Sequence, residues 1–292
     1  DPFQPGMQAT FMRVVSFFES QYNDPITINL VVGCGEIHGQ PFPSGALGSS
    51  DSISIPTTYS QLRAALLSDA TTSSDLTAIA SLGAADPFSP SPYSINRANA
   101  KALGLLSAND PGIDGYIGFG SGIFFDYDTS DGIPKAAYDF YAVVAHELTE
   151  LMGRTFGDGT AAPLDLFHYS APGTRSFDGT FPGYFSIDNG VTNLRDFNTD
   201  PSGDFSDWFS SGADSFRAFS PSGNIMPVTD VDLIVMDAIG YNRVVVSPPP
   251  PPQPPPPPPP GTLAHRADFD GDLKGDFLWQ NDSGQAAIWT MN

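Results

Sequence analysis

One short stretch of this chain carries side chains whose types and spacing could bind a metal ion and hydrolyse a bond. Residues 145–154 read Ala-His-Glu-Leu-Thr-Glu-Leu-Met-Gly-Arg, so His146 and Glu150 stand four residues apart. Residues four apart lie on the same face of an α-helix, and the imidazole and the carboxylate could therefore bind one metal ion. Glu147 lies about 100° further round the helix, where its carboxylate could take a proton from a metal-bound water. This spacing is that of the H-E-x-x-H zinc helix with a glutamate in place of the second histidine.

The scarcity of glutamate makes this pattern specific. Only four of the 33 acidic residues are glutamates, and two of them follow one of only four histidines at positions +1 and +4. The alternative is an exposed helix with an incidental charged pair, but nearly all other acidic residues of this chain are aspartates. We therefore predict a metal site with Glu147 as the general base. A carboxylate ligand makes zinc a weaker Lewis acid than a second imidazole would, so a weak or altered activity is the competing expectation.

The metal-binding pattern requires a helix, and the strongest helical periodicity of the chain surrounds it. Apolar side chains at Tyr141, Val144, Leu148 and Leu151 form one stripe, which predicts a helix over residues 138–152 packed on a core.

Other segments carry weaker signals of helices and strands. We predict a strand over 25–32, helices over 58–69, 74–82 and 94–106, one or two edge strands over 115–125, and a helix over 232–238 that ends at Gly240. Long loops rich in Gly, Pro, Ser and Asp follow residue 153. This mixture predicts an α+β fold.

The segment His146–Arg154 resembles the signature H-E-x-x-E-x-M-G-R of secreted bacterial zincin-type metalloproteases and is more distantly metzincin-like. The resemblance covers most of residues 25–241 and implies a zincin-like metallopeptidase domain over 1–246, with a mixed sheet and an active-site helix. It also implies a secreted endopeptidase that hydrolyses peptide bonds of a protein or peptide substrate with zinc. Gly153 stands at the glycine of the metzincin motif, whereas the final metzincin ligand position is Phe156, which cannot bind metal.

A third metal ligand must therefore come from another segment. His168 is favoured by the general chemistry of metal ligands, while the resemblance favours Asp165, so both remain candidates. The alternative roles are structural, with Asp165 capping a turn and His168 hydrogen-bonded at the surface. The segment 224–227 resembles the Met-turn of the metzincins and makes Met226 the candidate methionine beneath the metal; an ordinary core methionine is the alternative.

The end of the chain carries a second acidic pattern. A nearly pure proline tract predicts an extended polyproline linker over residues 247–261, followed by a β stub over 262–292. Four aspartates of the stub alternate around a glycine turn, as Ca²⁺ ligands do: Asp268, Asp270, Asp272 and Asp276. The stub resembles the opening of an FG-GAP/VCBS-type repeat, with two strands after the aspartates. Weaker clusters at 126–132 and 196–207 could also bind Ca²⁺, with ordinary turn formation as the alternative.

Composition limits the partners of the protein. Its 12 Lys and Arg residues against 33 acidic ones give a formal net charge of −21, which repels nucleic acid and anionic lipid surfaces. No segment approaches the run of about 20 apolar residues that a membrane helix needs. The single cysteine, Cys34, excludes an intramolecular disulfide, and with the low lysine content it fits a secreted monomer.

Two other functions remain open from the sequence. One is a catalytically degenerate zincin-fold surface or adhesion module that binds glycan or matrix, for which the missing second histidine is the best support. The other is a metal-dependent hydrolase of another bond type, such as an amidase.

Overall fold

A computed structural model of the chain describes residues 6–89, 91–177, 182–209 and 211–244, and the backbone of residues 277–280 and 286–289. Contacts divide the chain into two units, Asp1–Val245 and Val246–Asn292. The described helices are α1 Met7–Gln21, α2 Tyr59–Asp69, α3 Ser73–Ala80, α4 Arg97–Ala102, α5 Phe140–Leu151 and α6 Asp230–Ala238, with 3₁₀ turns at Thr129–Asp131 and Pro163–Phe167. The described strands of the first unit are β1 Leu30–Cys34, β2 Glu36–Ile37, β3 Gln40–Pro41, β4 Gly48–Ser52, β5 Ser54–Thr57, β6 Tyr93–Asn96, β7 Gly115–Phe119, β8 Phe125–Asp126, β9 Tyr138–Asp139, β10 His168–Ala171, β11 Thr174–Arg175, β12 Tyr184–Phe185 and β13 Arg195–Asp196. The predicted α+β class is confirmed.

A mixed three-stranded sheet in the order β1-β7-β4 lies beside α5. Strand β7 pairs in parallel with β1 and antiparallel with β4. The expectation of edge strands over 115–125 was therefore wrong, because β7 is the central strand. Its glycines serve close approach instead: a Cβ at Gly115 would lie 2.7 Å from Asp51 O, and one at Gly118 would lie 2.7 Å from Glu36 O.

Helix α5 is the predicted metal-binding helix, and a capping side chain at its start and a glycine after its end define its limits. Asp139 caps its start, since Asp139 Oδ1 accepts a hydrogen bond of 3.2 Å from Ala142 N. At its end, Gly153 adopts a φ of +120° that side-chain-bearing residues rarely reach. Nearly every residue between these ends is buried, because β4 and β7 pack against one side of the helix and α1 against another. More of the helix surface is therefore buried than the single apolar stripe predicted.

Three other expectations differ from the structure. The helix predicted over 94–106 begins as strand β6, whose pairing with β5 takes precedence, and only α4 is helical. The strand predicted over 25–32 begins at Leu30. Helix α1 was not predicted; its N-cap is Gly6, which offers no capping side chain.

In the second unit, β14 Phe277–Gln280 and β15 Ala286–Trp289 pair antiparallel, in agreement with the two strands expected there. The linker predicted over 247–261 and the candidate Ca²⁺ ligands Asp268, Asp270, Asp272 and Asp276 lie outside the described residues. Across the described ranges, no helix combines the length and apolarity that crossing a membrane requires.

Candidate metal centre

Helix α5 brings the imidazole of His146 and the carboxylate of Glu150 together, one helical turn apart. His146 Nε2 lies 3.3 Å from Glu150 Oε1. The other ring nitrogen, Nδ1, lies 2.9 Å from the carbonyl oxygen of Ser215, which can accept a hydrogen bond from it. In the neutral tautomer with its proton on Nδ1, the lone pair of Nε2 faces Glu150. A backbone carbonyl that orients a histidine through Nδ1 in this way is typical of metal sites.

Asp207 supplies a third donor that the sequence analysis did not identify as a zinc ligand. Its Oδ1 lies 3.2 Å from His146 Nε2, and the residue is 2% exposed. Glu150, Asp204 and Asp207 each offer one carboxylate oxygen within 4.8 Å of the others, and His146, Glu147 and Glu150 form a second such group. The imidazole therefore faces carboxylates from two distant parts of the chain.

A buried guanidinium, that of Arg154, lies behind these carboxylates. Arg154 Nη1 donates to Asp207 Oδ1 at 2.9 Å, and Nη2 lies 3.5 Å from Glu150 Oε1. Its carbon Cζ also lies 4.4 Å from the centroid of the Phe216 ring. The spacing of the motif alone predicts no role for this arginine.

The residues present fit a divalent cation. Three buried acids, Glu147, Glu150 and Asp207, face a single arginine or lysine, Arg154, among the described residues of this cluster. Glu150 Oε1 is buried and accepts no hydrogen bond of normal geometry from the described residues. An imidazole nitrogen and carboxylate oxygens are donors that zinc accepts. Two carboxylate oxygens within 3.3 Å of one imidazole nitrogen attract either a proton or a metal ion to that nitrogen, and a bound cation would satisfy all three atoms.

The pKa values of the two candidate ligands on α5, His146 and Glu150, follow from the same surroundings. Burial lowers the pKa of His146, but Asp207 and Glu150 outweigh that effect and raise it well above its usual range. Burial raises the pKa of Glu150, whereas His146, Arg154 and the hydroxyl of Ser50 together lower it to about 2. Ser50 Oγ donates to Glu150 Oε2 at 3.0 Å. Glu150 is therefore an anion across the physiological range.

Glu147 lies where the predicted general base should be, beside the candidate ligands and on the wall of a cleft. The cleft has a volume of about 530 Å³ and is lined by residues 45–48, by α5 and by residues 201–204 and 217–220. Burial, and next the charge of Glu150, raise the pKa of Glu147 well above its usual range. Gly48 leaves room for this carboxylate, since a Cβ there would lie 2.4 Å from Glu147 Oε1.

The structure does not bring either predicted third ligand to His146. Neither Asp165 nor His168 belongs to a group of metal-ligand atoms in the described part of the chain. Asp165 Oδ2 accepts hydrogen bonds from Ala162 N at 2.7 Å and Gly157 N at 3.0 Å, which is the capping role considered as its alternative. His168 is fully buried, not at the surface, and stacks on Phe156 with ring centroids 4.9 Å apart.

Met226 is buried and lies near the start of α5. Its backbone N donates to Asp139 Oδ2 at 3.0 Å, so the residue that caps α5 also holds this segment. The next residue, Pro227, accepts a hydrogen bond from Ser215 N, and Ser215 O in turn contacts His146. The segment that resembles a Met-turn therefore supports the loop that orients the imidazole.

Carboxylates of the two weaker acidic clusters form turns. Asp126 Oδ1 accepts from Asp128 N, and Asp128 Oδ1 accepts from Ser130 N. Within the described residues, only Asp204 and Asp207 of these clusters join a potential metal group, and that group includes Glu150.

No protein-family model, no curated protein and no solved structure matches this chain. The membership of a zincin-type family therefore stays a prediction from the motif.

Proposed function

We propose that this chain is a secreted zinc-dependent peptidase of zincin type, with His146, Glu150 and Asp207 as metal ligands and Glu147 as general base. The observation that carries the proposal is the approach of two carboxylates, from α5 and from a loop, to the same nitrogen of His146 at 3.3 and 3.2 Å. Two acids and one imidazole form a donor set for zinc, and the adjoining cleft is large enough to admit a segment of polypeptide.

Zinc, when bound, supplies a Lewis acid that polarises a carbonyl and activates water at neutral pH. The role of Glu147 follows from its place on the cleft wall and its raised pKa. A carboxylate with a raised pKa binds a proton more strongly than a free carboxylate does, so Glu147 can take a proton from the attacking water and release it to the leaving amine. His146, fixed through Nδ1 by Ser215, remains a ligand throughout.

The same site offers support to the alternative of a catalytically degenerate surface module. Arg154 pairs with Asp207 and approaches Glu150, so these carboxylates have a cationic partner without any metal. A module of that kind would bind glycan or matrix and would bind zinc neither tightly nor in a fixed ratio. Metal content therefore separates the two functions.

The test uses the whole chain and has two stages. Elemental analysis after zinc loading and dialysis should give one zinc for each chain, and casein hydrolysis should stop when a chelator removes it. E147Q should keep the zinc and lose casein hydrolysis, because the amide cannot accept the proton. E19Q, at an exposed glutamate on α1, is the matched control and should behave as wild type.

Two results would refute the proposal. Casein hydrolysis by E147Q at the wild-type rate would remove Glu147 from the chemistry. A wild-type chain that binds no zinc and cleaves no peptide would favour the degenerate module. D207N should weaken zinc binding, whereas D165N and H168Q should not, and the opposite pattern would return the third ligand to the residues first predicted.

A further inference from the structure

We infer that Arg154 is a positioning residue of the metal centre: it holds Asp207 and Glu150 in place as ligands and offsets the charge of the second carboxylate. This inference rests on the proposed zinc site, but it does not depend on peptidase activity. It assigns a role to the last residue of the motif, which neither general base chemistry nor metal ligation requires.

The first support is the burial of the guanidinium. Arg154 is 0% exposed, and a buried charge is stable only where it is paired and hydrogen-bonded. Its charged partners among the described residues are the carboxylates of Asp207 and Glu150. The remaining donors are directed to backbone and hydroxyl oxygens, with Nε 3.2 Å from Thr149 Oγ1 and Nη2 3.4 Å from His146 O.

The second support is which oxygen atoms the guanidinium contacts. Nη1 contacts Asp207 Oδ1, and Nη2 approaches Glu150 Oε1. These are the same two oxygens that lie nearest to His146 Nε2. A carboxylate oxygen has two lone pairs, so Asp207 Oδ1 can accept from Arg154 and still present the other lone pair to a cation beside His146, while the charge of Nη2 attracts Glu150 Oε1. The planar fork of arginine can therefore orient both oxygens toward one point.

The backbone turn after α5 explains why Arg154, which follows the helix in sequence, lies against its last turn. Gly153 N donates to Glu150 O at 2.9 Å, and Arg154 N donates to Thr149 O at 3.0 Å. These two hydrogen bonds form a Schellman motif, which requires a residue such as Gly153 with positive φ. The motif reverses the chain so that Arg154 lies against the last turn of α5, beside Glu150.

The third support is the position of Asp207 on a loop. Asp207 lies between strand β13 and helix α6, and its side chain is buried beside Arg154. Trp208 anchors the next position, since its Nε1 donates to Asp232 Oδ1 at 2.7 Å. A loop carboxylate without an internal partner would turn toward water, so the guanidinium keeps Asp207 inside the site.

Charge gives Arg154 a second effect. Zinc bound by one neutral imidazole and two carboxylates is formally neutral, whereas the two-imidazole, one-carboxylate sites of zinc peptidases carry a charge of about +1. The fixed charge of Arg154 restores that value without occupying a ligand position. Lysine keeps the charge but cannot bridge both carboxylates, whereas methionine loses both the charge and the bridge. Comparing R154K with R154M therefore separates the effect of charge from the effect of orientation.

The experiment measures zinc affinity of the full chain by competition with a chromophoric chelator. R154M should bind zinc roughly 10- to 100-fold more weakly, as expected for loss of a group that orients ligands. R154K should fall between R154M and wild type. R63M removes an arginine whose Nε donates to Leu82 O instead, and it should keep wild-type affinity.

A double-mutant cycle distinguishes positioning from general destabilisation. If Arg154 acts through Asp207, R154K should cost much less zinc affinity in the D207N background than in wild type. This comparison uses R154K, so it remains decisive if R154M does not fold. Equal losses in the two backgrounds, or a folded R154M that binds zinc as tightly as wild type, would overturn the inference.

The same titration separates this inference from the peptidase proposal. Zinc binding that depends on Arg154 in a chain that cleaves no casein would remove the peptidase and leave the role of Arg154 standing. A wild-type chain that binds no zinc would overturn both.

Discussion

Gly48 contacts the carboxylate of Glu147, and the absence of a side chain at this position decides where that carboxylate can lie. A Cβ on Gly48 would approach Glu147 Oε1 to 2.4 Å and Cγ to 2.6 Å. Because Glu147 is flexible and Gly48 belongs to a paired strand, Glu147 would be the residue to move. The geometry of the proposed base therefore depends on the edge strand β4 as well as on α5.

We predict that G48A keeps zinc affinity within a few-fold of wild type and lowers kcat for casein by roughly 100-fold, because a misplacement of about 1 Å has that effect on a reacting group. Steady-state kinetics of the zinc-loaded chain measures it. G122A is the matched control, since nothing lies within 4 Å of a Cβ there and its φ is not positive. A wild-type kcat for G48A would mean that this carboxylate does not act in the reaction.

At the scale of single residues, the sequence located the part of the site that one helix creates. His146, Glu147 and Glu150 are held together by helical periodicity, which spacing alone predicts. Asp207 depends on a loop that reaches α5 only in the tertiary structure, and its stretch of alternating acids suggested Ca²⁺ instead. The usable signal was Trp208, a large aromatic directly after an aspartate in a polar loop, which marks a loop that must be anchored in the core.

Asp139 joins two elements of the site through its two carboxylate oxygens. Oδ1 caps α5 at Ala142 N, and Oδ2 accepts from Met226 N in the segment that supports the Ser215 loop. Losing this side chain would leave two buried amide groups without an acceptor, and each such loss costs about 1–3 kcal/mol.

We expect D139A to lower the free energy of unfolding by about 2–4 kcal/mol, combining a lost N-cap with a lost buried hydrogen bond. Urea denaturation followed by circular dichroism measures the change. The matched control is D128A, which removes an exposed aspartate that caps a short 3₁₀ turn, and its effect should stay below about 1 kcal/mol. Equal effects of the two substitutions would contradict a joint role of Asp139.

At the scale of elements, prediction succeeded where a local signal and the tertiary structure agreed. Thr58 forms a capping box with Gln61 at the start of α2, so this helix lies within one residue of its predicted start. The helix prediction was wrong for residues 94–96, because strand pairing with β5 outweighed the local helical preference there. The central place of β7 was missed because its glycines were interpreted as marks of an edge, whereas they allow neighbouring chain segments to approach it closely.

Folding removes several carboxyl groups of this acidic molecule from water, and this makes its stability depend on pH. Burial is the largest cause of the raised pKa in each of four aspartates, with values of about 6 for Asp69 and Asp237 and about 7 for Asp165 and Asp232. A raised pKa means that the folded chain binds these protons more tightly than the unfolded chain does. The free energy of unfolding should therefore fall as the pH rises from the ordinary aspartate pKa of 3.8 through the raised values of about 6 and about 7.

We predict a higher melting temperature at pH 5 than at pH 8, measured by differential scanning calorimetry of the metal-free chain. D165N keeps an oxygen for the amide groups of Ala162 and Gly157 and does not titrate, so it should show a smaller difference between the two pH values. A melting temperature that rises from pH 5 to pH 8 would contradict the assigned directions of these shifts.

The central claim is that one metal ion is bound jointly by α5 and by the loop that contains Asp207. Anomalous scattering from crystals of the zinc-loaded chain, recorded on both sides of the zinc absorption edge, tests it most directly. The account predicts one peak about 2.0–2.2 Å from His146 Nε2 and from an oxygen of each of Glu150 and Asp207. A peak bound by Asp165 or His168, or no peak beside α5, would contradict it.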